Sequence, residues 1–161
     1  MAKSALQKAM DLLALRPLTE FELHRKLESS GNFHSGEVDE AIRICRDRGY
    51  LNDPLLAEDA VRFLNSCSRG REVIRQKLRA RGVDQEILDA ALEQLAPEDE
   101  EEAARNAAAG KLRLLVREKD LRKKREKLFR FMISRGFSPD LAGRMVKEML
   151  SENSPDGNDI F

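Results

Sequence analysis

Leu78-Arg79-Ala80-Arg81-Gly82-Val83-Asp84-Gln85-Glu86-Ile87 and Met132-Ile133-Ser134-Arg135-Gly136-Phe137-Ser138-Pro139-Asp140-Leu141 are one pattern written twice. Each runs from an apolar residue to a glycine, then through an apolar residue, a capping residue and two further positions to another apolar residue. Glycine adopts the left-handed conformation that closes a helix at little cost. Asp84 and Ser138 stand where a side chain can accept from the free amides of a new helix. Pro139 occupies a first helical position, where its missing N–H costs nothing. Both stretches therefore read as helix end, tight turn, helix start. Leu27 to Gly31 has the same spacing, and its copy resumes after a two-residue insertion through Phe33, Ser35 and Val38.

The flanking segments are helical by periodicity. Leu56, Ala57, Ala60, Val61 and Leu64 share one face of a helix, as do Ile87, Leu88, Ala91, Leu92 and Leu95. Leu141, Met145, Val146, Met149 and Leu150 repeat the rhythm, with polar residues filling the opposite faces. No run of alternating β-branched residues appears. Thr19 and Glu22 form a capping-box pattern at the start of a helix over 20–29. A further helix precedes each copy, roughly over 4–15, 54–66 and 98–117. The fold class is all-α: three tandem three-helix repeats over 1–52, 53–96 and 97–152, with a polar tail over 153–161. Repeats this small must share core with their neighbours, which predicts an elongated, curved body. The acidic run Glu98-Asp99-Glu100-Glu101-Glu102 reads as the solvated start of a helix, favoured there by the helix dipole.

The chain has 161 residues, with 29 basic and 29 acidic side chains. Zero net charge excludes a uniformly basic nucleic-acid binder, but the charge is sorted. Residues 97–110 hold one basic and five acidic residues, whereas 111–135 hold eleven basic and three acidic. No stretch approaches the roughly 20 apolar residues of a membrane span, and the first residues lack the apolar core of a secretory signal. Cys45 and Cys67 fit no disulfide or metal spacing, so reduced thiols and a cytoplasmic setting are expected.

Catalytic constellations are missing from the pattern. His24 and His34 are too far apart for a helical metal pair, and the glycines fall singly at helix ends rather than in a phosphate loop. Ser66-Cys67-Ser68 has no base that the sequence positions beside it. The chain reads as a non-enzyme with no cofactor and no metal.

Two basic helices are the informative feature. In the second repeat, Arg69, Arg71, Arg75, Lys77, Arg79 and Arg81 fall within thirteen residues, with Arg71, Arg75 and Arg79 at i+4 spacing along one side. In the third, Lys123, Lys124, Arg125, Lys127, Arg130 and Arg135 surround the inward-facing Leu128, Phe129 and Met132. These are equivalent helices of successive repeats, and cationic rows on them would attract phosphates or an acidic protein. The plainer alternative is that both rows are solvated helix faces. The first repeat's equivalent helix is mixed in sign and does not extend the row.

Several strings resemble the RecX family of recombinase regulators. Arg16-Pro17-Leu18-Thr19, Glu22-Leu23, Lys26-Leu27 and Gly49-Tyr50-Leu51-Asn52-Asp53 look like its first unit. Ser68-Arg69-Gly70, Ile74-Arg75-Gln76-Lys77-Leu78 and Arg81-Gly82-Val83 resemble the second. Lys127-Leu128-Phe129-Arg130-Phe131-Met132 and Arg135-Gly136-Phe137 resemble the third. The resemblance implies a monomer that lies in the groove of the RecA filament on single-stranded DNA. It implies inhibition of ATP hydrolysis, strand exchange and co-protease activity, hence modulation of homologous recombination, DNA repair and the SOS response. The twelve basic residues named above would be its contacts with filament or DNA. Tyr50 is expected to pack between repeats, and Phe131 to fill a contact with a neighbouring repeat, since Phe129 and Phe131 cannot share one helix face. A winged-helix DNA-binding regulator is the competing reading, with residues 19–29 and 35–48 as its helix-turn-helix. A repeat scaffold with a purely protein partner is a third.

Overall fold

A computed structural model describes residues 1–152; the polar tail proposed for 153–161 lies outside them. Among the described residues there are nine helices and no strand. They are α1 (Ala5–Leu15), α2 (Glu20–Ser29), α3 (Ser35–Asp47), α4 (Asp53–Ser66), α5 (Arg71–Ala80), α6 (Gln85–Glu93), α7 (Pro97–Leu114), α8 (Leu121–Ser134) and α9 (Pro139–Glu152). A winged helix needs a β-hairpin after Leu51. There α4 begins instead, so that reading loses its wing.

The turn chemistry is largely as the sequence dictates. Gly31, Gly82 and Gly136 all have positive φ. Thr19 and Glu22 form the reciprocal capping box of α2, with Glu22 N–H donating to Thr19 Oγ1 at 3.1 Å and Thr19 N–H donating to the Glu22 carboxylate at 3.0 Å. Ser138 Oγ accepts from Leu141 N–H at 3.2 Å. Two caps differ from expectation. Asp84 holds the N-cap position of α6, but its side chain makes no capping bond. His34, not Ser35, is the N-cap of α3, and its own N–H donates to Glu37 at 2.8 Å.

The chain divides into two compact units, and the division runs through two helices. The first unit comprises Met1–Val61 with Gln76–Gln94, and the second comprises Arg62–Arg75 with the chain from Leu95 onward. The cuts fall inside α4 and α5, so the repeat expected over 53–96 contributes to both units.

In the first unit, Ala5 and Ala9 bring α1 close against α3, whose Val38, Ala41, Ile42 and Cys45 form a buried stripe at helical spacing. Leu23 and Leu27 of α2, with Leu18 and Leu51, complete the core. Truncating a fully buried leucine such as Leu23 costs about 2–5 kcal/mol. In the second unit the alanines of α7 do the same service. Ala103, Ala104, Ala107 and Ala108 are buried with Leu112 against Leu128 and Met132 of α8 and Leu141, Ala142, Met145, Val146 and Leu150 of α9. Small side chains let three helices approach closely enough for these larger ones to interdigitate.

Each unit contains one joint of the same kind, in which the start of one basic or mixed helix meets the end of the next. In the first unit, Thr19 Oγ1 donates to the Arg81 carbonyl at 2.6 Å, and Thr19 is fully buried. The Glu22 carboxylate accepts from Arg81 Nε and Nη2 at 2.9 and 3.0 Å. Asp53 accepts from Glu20 N–H at 3.0 Å. The Phe21 ring lies where a side chain at Gly82 would have to go. In the second unit, Gly70 N–H donates to the Arg135 carbonyl at 2.8 Å and Glu72 N–H to the Gly136 carbonyl at 3.1 Å. A Cβ on Gly70 would fall on the Gly136 backbone.

Candidate functional site

The twelve basic residues singled out by the sequence occupy three different situations. Arg71 and Arg81 are structural. Arg71 Nε donates to Glu100 at 2.7 Å and its Nη2 to the Leu95 carbonyl at 2.8 Å, fastening the start of α5 to the start of α7. Arg81 is held by Glu22, as described. Burial raises the Glu22 carboxyl, but hydrogen bonds from Arg81 and the Thr19 N–H and the positive field of Arg81 and Arg16 outweigh it and hold it below its ordinary range. Both arginines are therefore committed within the fold rather than available to a partner. Reversing Arg71 would break this fastening of α5 to α7 along with any surface.

The acidic run is likewise more than a solvated helix start. Glu100 holds Arg71, and Glu101 accepts from Arg144 at 2.8 Å, which ties the first turns of α7 to α9.

A second group is engaged with polar neighbours. Arg79 donates to Gln85 at 3.0 and 3.2 Å, Arg75 lies 3.8 Å from Glu72, and Lys127 donates to Glu118 at 2.6 Å. The row expected along α5 is thus divided: Arg71 and Arg75 belong to the second unit, while Lys77, Arg79 and Arg81 belong to the first.

The third group is free of ion pairs among the described residues: Arg69, Lys77, Lys123, Lys124, Arg125, Arg130 and Arg135. Five of these seven lie on or just after α8. Leu128 and Met132 are fully buried on its inner side, so Lys123, Arg125 and Arg130 are left exposed to solvent. Arg135 is a special case. Its guanidinium lies 5.5 Å from the Phe131 ring centre, its Nη2 donates to the Cys67 carbonyl at 3.4 Å, and its Nε is buried without a hydrogen-bond partner. Burial and then repulsion from Arg69 push its pKa down. Lys111 lies 5.2 Å from the same ring. Phe131 therefore packs on the core of its own unit, as does Phe129, with Lys111 and Arg135 against its ring. Tyr50, expected to be packed, is 50% exposed, beside Met10, Leu13 and Ala14.

The surface also includes cations absent from the sequence-based set. Lys111, Arg113, Arg117, Lys119 and Arg122 lie in the strongly basic stretch 111–135, and none has an ion-pair partner among the described residues. Lys111 and Arg113 belong to the last turn of α7, Arg117 and Lys119 to the connector, and Arg122 to the first turn of α8; the only sequence signal for them is the charge count over 111–135. What the region can do chemically is attract anions; no cluster of three or more His, Cys, Asp or Glu side chains able to hold a metal occurs among the described residues. No helix there is long and apolar enough to cross a membrane.

The fold and this surface define an all-α protein of tandem three-helix domains with a strongly cationic stretch over 111–135. Residues 52–92 match the second three-helix domain of RecX and residues 98–145 the third. The regulatory protein RecX of Pasteurella multocida is 31% identical over 141 residues, covering 87% of this chain and 84% of that protein. Its counterpart in Vibrio campbellii is 34% identical over 137 residues, covering 85% and 86%. The crystal structure of RecX from Lactobacillus salivarius superposes with a TM-score of 0.82 at 26% identity, covering 91% of this chain and 95% of that one. The chain belongs to the RecX family of regulatory proteins.

Proposed function

We propose that this regulator binds the RecA filament on single-stranded DNA, in its groove, and inhibits ATP hydrolysis, strand exchange and co-protease activity. In that role it tempers homologous recombination, DNA repair and the SOS response in the cytoplasm, acting as a monomer without cofactor. Its repeats are taken as 1–52, 53–96 and 97–152. The observation that carries the reading is the set of uncompensated cations on α8 in a chain of zero net charge. Such a protein is drawn to a polyanionic nucleoprotein filament through one face, while its remaining surface adds no general affinity for nucleic acid. Each single-strand phosphate neutralised adds a salt slope of about −0.7, so roughly four contacts make binding strongly salt-dependent. Arg69, Lys123, Lys124, Arg125, Arg130 and Arg135, the cations of the ion-pair-free group that fall in the second unit, are the contacts this reading favours.

The test is the single-strand-dependent ATPase of RecA with the chain added in stoichiometric amounts. Inhibition that weakens as salt rises is expected. An unchanged ATPase rate would remove the reading.

A further inference from the structure

A cleft of about 310 Å³ in the first unit lies apart from every cation assigned to the filament. Phe21, Glu22, Arg25, Lys26 and Ser29 of α2 line it together with Ala80 of α5. Phe21 is 46% exposed, and the Arg25 guanidinium lies 5.6 Å from its ring centre. The ring is seated against the Gly82 backbone, where a Cβ would collide with it, so this platform is formed in advance. Arg25 and Lys26 are exposed and hold no carboxylate among the described residues. The acid of the lining, Glu22, is committed to Arg81 by two hydrogen bonds of 2.9 and 3.0 Å. Two uncompensated cations therefore stand beside an accessible ring. Tyr50, the other exposed ring of the unit, has only Met10, Leu13 and Ala14 around its cleft.

We infer that this cleft binds a free mononucleotide, with the base against Phe21 and Arg25 and the phosphate on Lys26 and Arg25. Bases pack on aromatic rings and on guanidinium groups. A phosphate monoester carries about −1.5 to −2 charges at neutral pH, which two cations match. Ser29 Oγ donates to the Lys26 carbonyl at 3.2 Å and keeps lone pairs that can accept from a sugar hydroxyl. A strand fits this site poorly. Sites that track a strand line up successive rings along a continuous cationic groove, whereas this cleft has one ring, and Glu20 and Glu28 also stand on α2. Its volume is at the small end of ligand sites, which suits a single nucleotide.

The experiment titrates the full chain with adenosine monophosphate, inorganic phosphate, adenosine and octathymidylate by calorimetry. The monophosphate is expected to bind about tenfold more tightly than phosphate or adenosine, because only it engages ring and cations together. Arg25→Ala with Lys26→Ala removes exposed side chains only, and an unchanged thermal melt establishes that it folds. Its affinity for the monophosphate is expected to fall about tenfold or more. Phe21→Leu keeps an apolar side chain against Gly82 and should reduce the monophosphate to the affinity of inorganic phosphate. Lys123→Ala with Arg130→Ala, in the second unit, should leave it unchanged. A parent chain that binds the monophosphate no better than inorganic phosphate would overturn the inference. So would a loss in the second-unit variant that the Arg25 and Lys26 variant does not show. Displacement of bound monophosphate by octathymidylate would overturn it in favour of a strand site. All these outcomes are independent of the filament reading, which the RecA ATPase tests separately.

Discussion

In the first unit the end of α5 meets the start of α2 through side chains, whereas in the second the end of α8 meets the start of α5 through backbone. Thr19, Glu22 and Arg81 make the first joint a buried hydroxyl and a two-point guanidinium–carboxylate contact. Gly70 and Gly136 make the second joint two amide–carbonyl bonds with no room for a side chain. The arginine-glycine pair is common to both, Arg81-Gly82 and Arg135-Gly136, yet only Arg81 is neutralised. Where side chains build the joint, the arginine is consumed by it. Where backbone builds the joint, Arg135 is left with one cation–π contact and one carbonyl, and remains a cation without a carboxylate. The difference teaches that equivalent repeat positions need not share a function, because the joint decides which charges are left over.

The largest expected effect comes from breaking the backbone joint. Gly70→Ala places a methyl on the Gly136 backbone, which cannot move aside as a flexible side chain would. A loss of about 3 kcal/mol in urea-unfolding stability is expected, as for severe overpacking. A loss below about 1 kcal/mol would mean that the two strands of backbone separate freely.

The side-chain joint should yield less, and in a pH-dependent way. Arg81→Ala removes two charge-assisted hydrogen bonds from a largely buried carboxylate, an expected loss of about 2–3 kcal/mol at neutral pH. The folded Glu22 carboxyl titrates below its unfolded range, so its contribution is present above about pH 4.5 and is lost as pH falls through the folded value. Asp53 works against this, because burial raises its pKa and favours the folded state in acid. Melting temperatures of parent and variant should therefore converge on acidification below that range. Parallel curves would show that Glu22 gains nothing from Arg81.

The smallest effect on stability is expected on α8. Lys123→Glu with Arg130→Glu touches no ion pair among the described residues, so unfolding should shift by no more than about 0.5 kcal/mol. Filament inhibition should nevertheless weaken. A stability loss comparable to that of Arg81→Ala would place these residues among the structural cations and erase the contrast between the joints.

Much of this was legible along the chain. Glycine at a helix end, a capping residue after it and aliphatic residues at helical spacing are local requirements. A linear reading finds them because φ, caps and amphipathic faces depend on residues within a turn or two of each other. That is why Gly82, Gly136, Thr19, Ser138 and the all-α class follow from the sequence itself, and why the excess positive charge over 111–135 is visible as a count. Asp84 shows the limit even there, since its backbone holds the cap position while its carboxylate makes no capping bond.

What the tertiary structure decided is which charges survive folding. Arg71 and Arg81 look no different in sequence from Arg69 or Arg130, yet Glu100 and Glu22, distant along the chain, arrive to neutralise them. A long-range ion pair leaves no trace in local spacing, because its partner is chosen by the packing of helices and not by neighbours in sequence. The same holds for Phe131, whose ring is claimed by Lys111 and Arg135, and for Tyr50, which packing left exposed. Residue types and their periodicity determined the helices, their ends and the region of excess charge. Only folding determined which cations are held by carboxylates and which stay free, since that depends on distances through space that helical repeats alone do not set.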